Sequence, residues 1–181
     1  MAAKIKLNVQ NFPRPPLLEK TPRHLVLRWN GQTLADTKSA YWVLETTHPP
    51  TYYLPRNSVS DSFKLTQVPE KASLCEWKGR ATYWDLTDKS TGQTVTNKIW
   101  SYESPTPAFT SIKGYLSFYA SGMPWECFVD DEKVAPQEGE QPTETTWRPN
   151  LIPLFIGDYY GGWVTSELEG PMKGGPGTWG W

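Results

Sequence analysis

The chain is predicted to be mainly β, and three observations carry that expectation. Its 17 prolines and 14 glycines recur too often for a long helix to survive. No window repeats apolar residues at the helical period. The aromatic residues (10 Trp, 9 Tyr and 6 Phe) gather with β-branched types in short runs. A length of 181 residues suits one domain with enough chain for a core.

Taken in order, residues 1–22 hold Asn11-Phe12-Pro13-Arg14-Pro15-Pro16 and end at Thr21-Pro22, which reads as an extended N-terminal arm. An aromatic-rich β domain is expected over 23–135. His24–Trp29 is strand-like, with Leu25, Leu27 and Trp29 on one face. Asn30-Gly31 is a hairpin signal, because both residues tolerate positive φ. The chain returns through Thr33–Asp36. A strand over Ala40–Thr46 carries bulk on both faces, so packing on two sides is expected. His48-Pro49-Pro50 breaks it, Thr51–Arg56 starts another, and Phe63–Val68 is read as a strand closed by Pro69.

The strand Arg80–Leu86 organises the middle of the chain. Ala81 and Tyr83 should share one face, Thr82 and Trp84 the other. A turn at Asp88–Gly92 leads to Lys98–Tyr102, where Trp100 and Tyr102 share a face. Pro105 and Pro107 suggest an extended connection, then a strand over Tyr115–Tyr119. Trp125–Asp130 is expected to pair with that strand, turning at Asp130-Asp131 towards Val134.

Beyond the domain the composition shifts. Residues 126–144 hold seven acidic residues against one lysine, Lys133, so 136–150 reads as an acidic linker or loop. The segment 151–181 contains the apolar run Leu151–Ile156. Eight of the 14 glycines fall within 157–181, with Tyr159, Tyr160, Trp163, Trp179 and Trp181. Glycine lets backbone lie close to a surface and each aromatic buries a large area, so this segment should pack on the domain or on a partner subunit.

A net charge of −1 and a sequence pI of about 6.1 give no overall attraction to nucleic acid or anionic membrane. No run approaches the about 20 apolar residues of a membrane span, and the start lacks an apolar signal core. A cytoplasmic protein with reduced thiols is therefore expected. Cys75 and Cys127 have no zinc-clip spacing, and neither His24 nor His48 sits in a triad or metal pattern. Gly170–Gly177 lacks the spacing of a phosphate loop. No metal or cofactor is implied.

Residues 74–86 carry the densest chemistry. Cys75 is a candidate nucleophile, because Lys78 three residues on could lower its pKa, and Lys78 is itself a candidate nucleophile or base. Tyr53, Tyr83, Trp100, Tyr102 and Tyr119 combine apolar bodies with polar tips. With Lys78 and Arg56 beside them they would make an aromatic-lined cleft for a small, anionic ligand. Catalysis through Cys75 or Lys78, and an assembly role for the C-terminal tail, with homo-oligomer contacts, are the alternatives.

The segments Leu34-Ala35-Asp36, Tyr52-Tyr53-Leu54-Pro55-Arg56, Cys75-Glu76-Trp77-Lys78-Gly79, Trp100-Ser101-Tyr102, Phe118-Tyr119 and Val129-Asp130 fall in one order. Together they resemble the bacterial family called domain of unknown function 427, over roughly residues 25–135. The Trp-Lys-Gly block is the most specific part, and Glu76 stands where that family usually has proline. The tail resembles an extension in cyanobacterial members. The resemblance implies a β-tent-like fold, two small antiparallel sheets leaning together. Relatives in that fold class often hold zinc through two Cys pairs, which this chain lacks. The nucleotidyltransferase-like label sometimes given to the family implies paired metal carboxylates after a Gly-Ser turn. They are absent here, and Asp130-Asp131 reads as a turn.

Overall fold

The computed structural model describes residues 5–137 and 161–173. In chain order the strands are β1 (Leu7–Asn8), β2 (Leu17–Lys20), β3 (Leu25–Trp29), β4 (Gln32–Thr37), β5 (Tyr41–Leu44), β6 (Thr51–Tyr53) and β7 (Phe63–Cys75). They continue with β8 (Gly79–Asp88), β9 (Thr94–Ser101), β10 (Leu116–Phe118), β11 (Trp125–Val129), β12 (Glu132–Lys133) and β13 (Leu168–Glu169). The fold is mainly β, in several small sheets of orders β12-β11-β3-β4, β10-β9-β8-β7 and β2-β5-β6, with a short parallel pair β1-β13. No barrel closes among the described residues.

A bridge between Leu54 and Leu116 extends the β2-β5-β6 sheet into the β10-β9-β8-β7 sheet. The two residues exchange backbone hydrogen bonds of 2.7 and 2.8 Å. The joined surface has two apolar faces, because aromatic residues occupy both parities of its strands. Trp42, Tyr52, Leu86, Ile99 and Phe118 face the main core, where they meet Leu25, Leu27, Trp29 and Trp125 of the β3–β4–β11 sheet. Val43, Tyr53, Ala81, Tyr83, Trp100 and Tyr102 form a second cluster. Asn30 and Gly31 both take positive φ, 52° and 74°, as the hairpin signal requires.

Several elements depart from the sequence reading. The arm contributes strands, with β2 pairing along β5 from Leu17↔Leu44 to Lys20↔Tyr41. Pro69 does not close β7: the register slips between Val68 and Ala72, three residues bulge out, and pairing with β8 resumes to Cys75. β7 is an edge strand, where a residue lacking an N–H is tolerated at a bulge. Residues Pro107–Ile112 form a 3₁₀ helix rather than an extended connection, with Pro107 at its first turn. β9 begins at Thr94, earlier than Lys98.

β11 pairs with β3, not with β10: Trp125, Cys127 and Val129 oppose Trp29, Leu27 and Leu25. Both sides of β10 are occupied, by β9 and by the bridge to Leu54, so no free edge remains for β11 there.

Of the C-terminal tail, residues 161–173 pack on the domain. Trp163 is fully buried, lies tilted against Tyr52 with ring centroids 5.1 Å apart and donates its indole N–H to the Phe118 carbonyl at 2.9 Å. Glu167, 1% exposed, accepts from Arg23 at 2.6 Å, and Arg23 also binds Asp130 at 3.0 Å. Leu151–Ile156, Tyr159, Tyr160, Trp179 and Trp181 lie outside the described residues, as does most of the acidic linker.

Candidate functional site

The second cluster gathers most of the aromatic residues singled out from the sequence. Tyr83 and Trp100 sit opposite each other in the β8–β9 ladder, and Trp100 opposes Ser117 on β10. Parity then puts Tyr102 on the same side. β6 adds Tyr53, whose ring lies 6.2 Å from that of Tyr102, and the Trp100 and Tyr119 rings are 4.7 Å apart. Phe109 and Ile112 of the 3₁₀ helix complete the cluster.

Two hydroxyls in this apolar setting, Tyr53 Oη and Ser117 Oγ, are buried without a hydrogen bond. The polar atoms of Trp100 and Tyr102 are near Tyr53 Oη but offset from hydrogen-bond geometry. Such a group costs about 1–3 kcal/mol unless something satisfies it. Burial pushes the pKa of Tyr53 and Tyr102 well above the usual phenol range, so both hydroxyls remain proton donors at neutral pH.

Lys78 comes to this cluster on the β7–β8 hairpin. The turn closes at Gly79, whose φ of +95° few other residues would adopt. The Thr106 hydroxyl and amide bind the Trp77 and Lys78 carbonyls and hold the turn against the chain after Tyr102. The Lys78 ammonium stands 6.0 Å from the Tyr102 ring and 5.8 Å from that of Phe109. It has no carboxylate partner among the described residues. Cys75, at the hairpin's other side, packs half-buried on the same cluster. Among the described residues no basic group hydrogen-bonds its thiol.

The loop before β6 adds His48, which sits in no triad or metal pattern in the sequence. His48 is half-buried, and its backbone N–H closes a turn on Glu45 at 2.9 Å. Its pKa is lowered by burial, against a raising effect of Glu45, and further by the ammonium groups of Lys173 and Lys78 and by Arg14. Its neighbour Thr47 holds a φ of 67°, a strained position for a β-branched residue. Bonds to both its backbone groups over-determine it: Thr47 N–H to Val9 at 2.9 Å, and Lys173 N–H to the Thr47 carbonyl at 2.8 Å. Arg14 bridges to Glu45 at 3.6 Å and Glu76 at 3.2 Å, and lies over the Trp77 ring.

Thus Tyr53, Tyr83, Trp100, Tyr102, Tyr119 and Lys78 come together. Arg56 does not. It lies over Trp84, 4.2 Å from the ring centroid, and pairs with Glu103 at 2.9 Å, on the opposite side of β8 from Tyr83. Beside Glu103, a half-open groove of about 260 Å³ follows the β7 bulge, lined by Lys71, Arg80, Thr82 and Gln67 among others. Both cysteines are free: Cys127 is buried in the main core, remote in packing from Cys75, and burial pushes its pKa up. Among the described residues no group of three or more His, Cys, Asp or Glu could hold a metal ion. No helix there is long and apolar enough to cross a membrane.

These features define a mainly β domain whose second aromatic cluster is edged by the cationic side chains of Lys71, Lys78 and Lys98. The sequence matches the family described as Domain of unknown function (DUF427) over residues 17–134, well over half its length, and the chain belongs to that family. A comparison with curated proteins gave no significant match.

Proposed function

We propose that this domain binds a small anionic molecule at the rim of the second aromatic cluster. Lys78 supplies the charge, Tyr53 and Tyr102 supply hydroxyl donors, and Tyr83, Trp100 and Tyr119 form the apolar walls. The observation that carries the reading is the half-buried Lys78 ammonium, without a carboxylate partner among the described residues and 6.0 Å from the Tyr102 ring, on the cluster that also holds the buried, unsatisfied Tyr53 hydroxyl. An anion satisfies both groups, since a carboxylate or phosphate oxygen only accepts hydrogen bonds. Two free thiols fit the cytoplasmic setting proposed for it.

A thermal-shift panel of nucleotides, sugar phosphates and organic acids on dialysed protein tests this. A ligand at 100 times its Kd stabilises by about 2.7 kcal/mol, or roughly 5–11 °C for a chain of this size. A rise that disappears in Lys78→Gln supports the site; a flat panel, or a rise unchanged in that variant, counts against it. For the catalytic alternative, Cys75 should react with a thiol reagent faster than a free model thiol, and an ordinary rate removes it.

A further inference from the structure

We propose that the groove beside the β7 bulge is a second binding site, and that it takes a small hydroxy acid, with the carboxylate on Arg80 and a hydroxyl on Glu103. The site uses the face of β8 opposite to the Lys78 cluster and does not rest on the anion reading above.

The groove opens where regular strand pairing is interrupted. The β7–β8 ladder steps from Val68↔Tyr83 to Ala72↔Thr82, so Pro69, Glu70 and Lys71 stand out from it. A half-open space of about 260 Å³ lies between this bulge and Arg80, Thr82, Glu103 and Ser104. Strand parity puts Arg80 and Thr82 on the face that carries Trp84. Thr82 opposes Ser101 in the β8–β9 ladder. On this face a chain of hydrogen bonds fixes Glu103. The Trp84 indole N–H donates to Ser101 Oγ at 2.9 Å, and the Ser101 hydroxyl donates to Glu103 Oε1 at 2.6 Å. Arg56 donates to the same oxygen at 2.9 Å while its guanidinium lies 4.2 Å from the Trp84 ring centroid.

Two groups of the wall are left open. Both bonds to Glu103 fall on Oε1, so Oε2 has no hydrogen bond among the described residues. The Arg80 guanidinium has neither a carboxylate nor a hydrogen-bond partner there. Arg56 already balances Glu103, and the Lys71 ammonium lies over the Tyr83 ring at 5.1 Å, a ring that parity puts on the other face. The unmatched charge of the groove is therefore the single positive charge of Arg80. One cation suits a monoanion, and the neighbouring Glu103 carboxylate disfavours a dianion. The guanidinium fork matches a planar carboxylate bidentately. Glu103 Oε2 only accepts, so the ligand has to bring a donor, and with Glu103 already neutralised that donor needs no charge. A hydroxyl meets both conditions. The Thr82 and Ser104 hydroxyls and the Gln67 amide offer donors and acceptors to further hydroxyls. The volume falls just under the about 300–1,000 Å³ of drug-sized sites, which suits a compact ligand.

Titration of ¹⁵N-labelled protein at low salt with gluconate, hexanoate and sorbitol separates the contributions. Gluconate has a carboxylate and hydroxyls, hexanoate the carboxylate alone, and sorbitol hydroxyls alone. Gluconate is expected to shift the backbone amides of Lys71, Ala72 and Glu103. Its Kd should be about tenfold below that of either control, the ratio that one net hydrogen bond of about 1.4 kcal/mol gives. Arg80 is exposed, so Arg80→Gln tests the contact without touching the core, and should weaken gluconate about tenfold or more. Lys78→Gln should leave the gluconate Kd within about twofold of wild type. Absence of shifts at these amides, a control that binds as tightly as gluconate, or a Kd unchanged by Arg80→Gln overturns the proposal. Gluconate shifts that gather around Lys78 and vanish in Lys78→Gln overturn it too, and leave the anion site at the aromatic cluster standing. Groove shifts that survive Lys78→Gln uphold it even where the anion panel at Lys78 is flat.

Discussion

Replacing Trp163 by alanine should destabilise the protein by about 4–6 kcal/mol. The figure follows from its setting: the side chain is fully buried in the main core, against Tyr52, with its N–H on the Phe118 carbonyl. Truncating a buried Trp costs about 3–5 kcal/mol, and the orphaned carbonyl adds about 1 kcal/mol or more. Area gives the same scale, since a Trp buries about 150–250 Å² at about 25 cal/mol per Å². For a chain of this size the Tm should fall by roughly 8–24 °C. Trp163→Phe keeps most of the ring but loses the N–H, and should cost about 1–2 kcal/mol. Urea unfolding followed by far-UV circular dichroism measures both. A loss below about 1 kcal/mol for the alanine variant, with an unchanged denaturant slope, would refute the placement of this segment in the core.

Other predictions concern the packing and titration of the site. Gly162→Ala forces a methyl onto Pro49 and should cost about 1–3 kcal/mol in the same assay. His48 has a folded pKa below its ordinary 6.5, so the unfolded chain takes up the proton first. Its stabilising contribution is present above pH 6.5 and lost as pH falls through the lowered folded value. The stability of wild type should therefore fall on acidification from pH 6.5 towards that lowered value, and that of His48→Gln should fall less. Tyr52, Tyr53 and Tyr102 have raised pKa values, so their contribution is present below pH 10 and lost above it. A phenolate absorbance titration should leave these three un-ionised until alkaline unfolding. Their titration near 10 in the folded protein would contradict the burial described.

Local signals were the legible part of this fold. The positive φ of Asn30, Gly31, Asp130 and Asp131 follows from residue type, and the parity of Tyr83 against Trp84 follows from strand period. Long-range pairing was not legible. β11 and β10 are adjacent in sequence, but only the Leu54–Leu116 bridge, formed across the fold, excludes their pairing. Arg56 was misplaced because Pro55 ends the extended chain, and the Arg56–Ser58 3₁₀ turn resets the parity that Tyr53 had set. Lys173 lies 125 positions from His48 in number, 173 less 48, and no spacing rule connects them. The doublet Gly161-Gly162 was a usable signal, since it marked where the tail approaches another surface closely.

The central claim is that an anion binds where Lys78, Tyr53 and Tyr102 meet, within reach of His48. The chain has only two histidines, so a ¹⁵N histidine spectrum resolves the site from the rest of the surface. His24, paired with Asp36 at 2.7 Å, serves as the internal control, and His24→Gln assigns the signals. Saturating phenyl phosphate or benzenesulfonate should raise the pKa of His48, because an anion offsets the cations that now disfavour its charged form, and should leave the His24 signals in place. No movement of His48 with either compound, or equal movement of both histidines, would contradict the account.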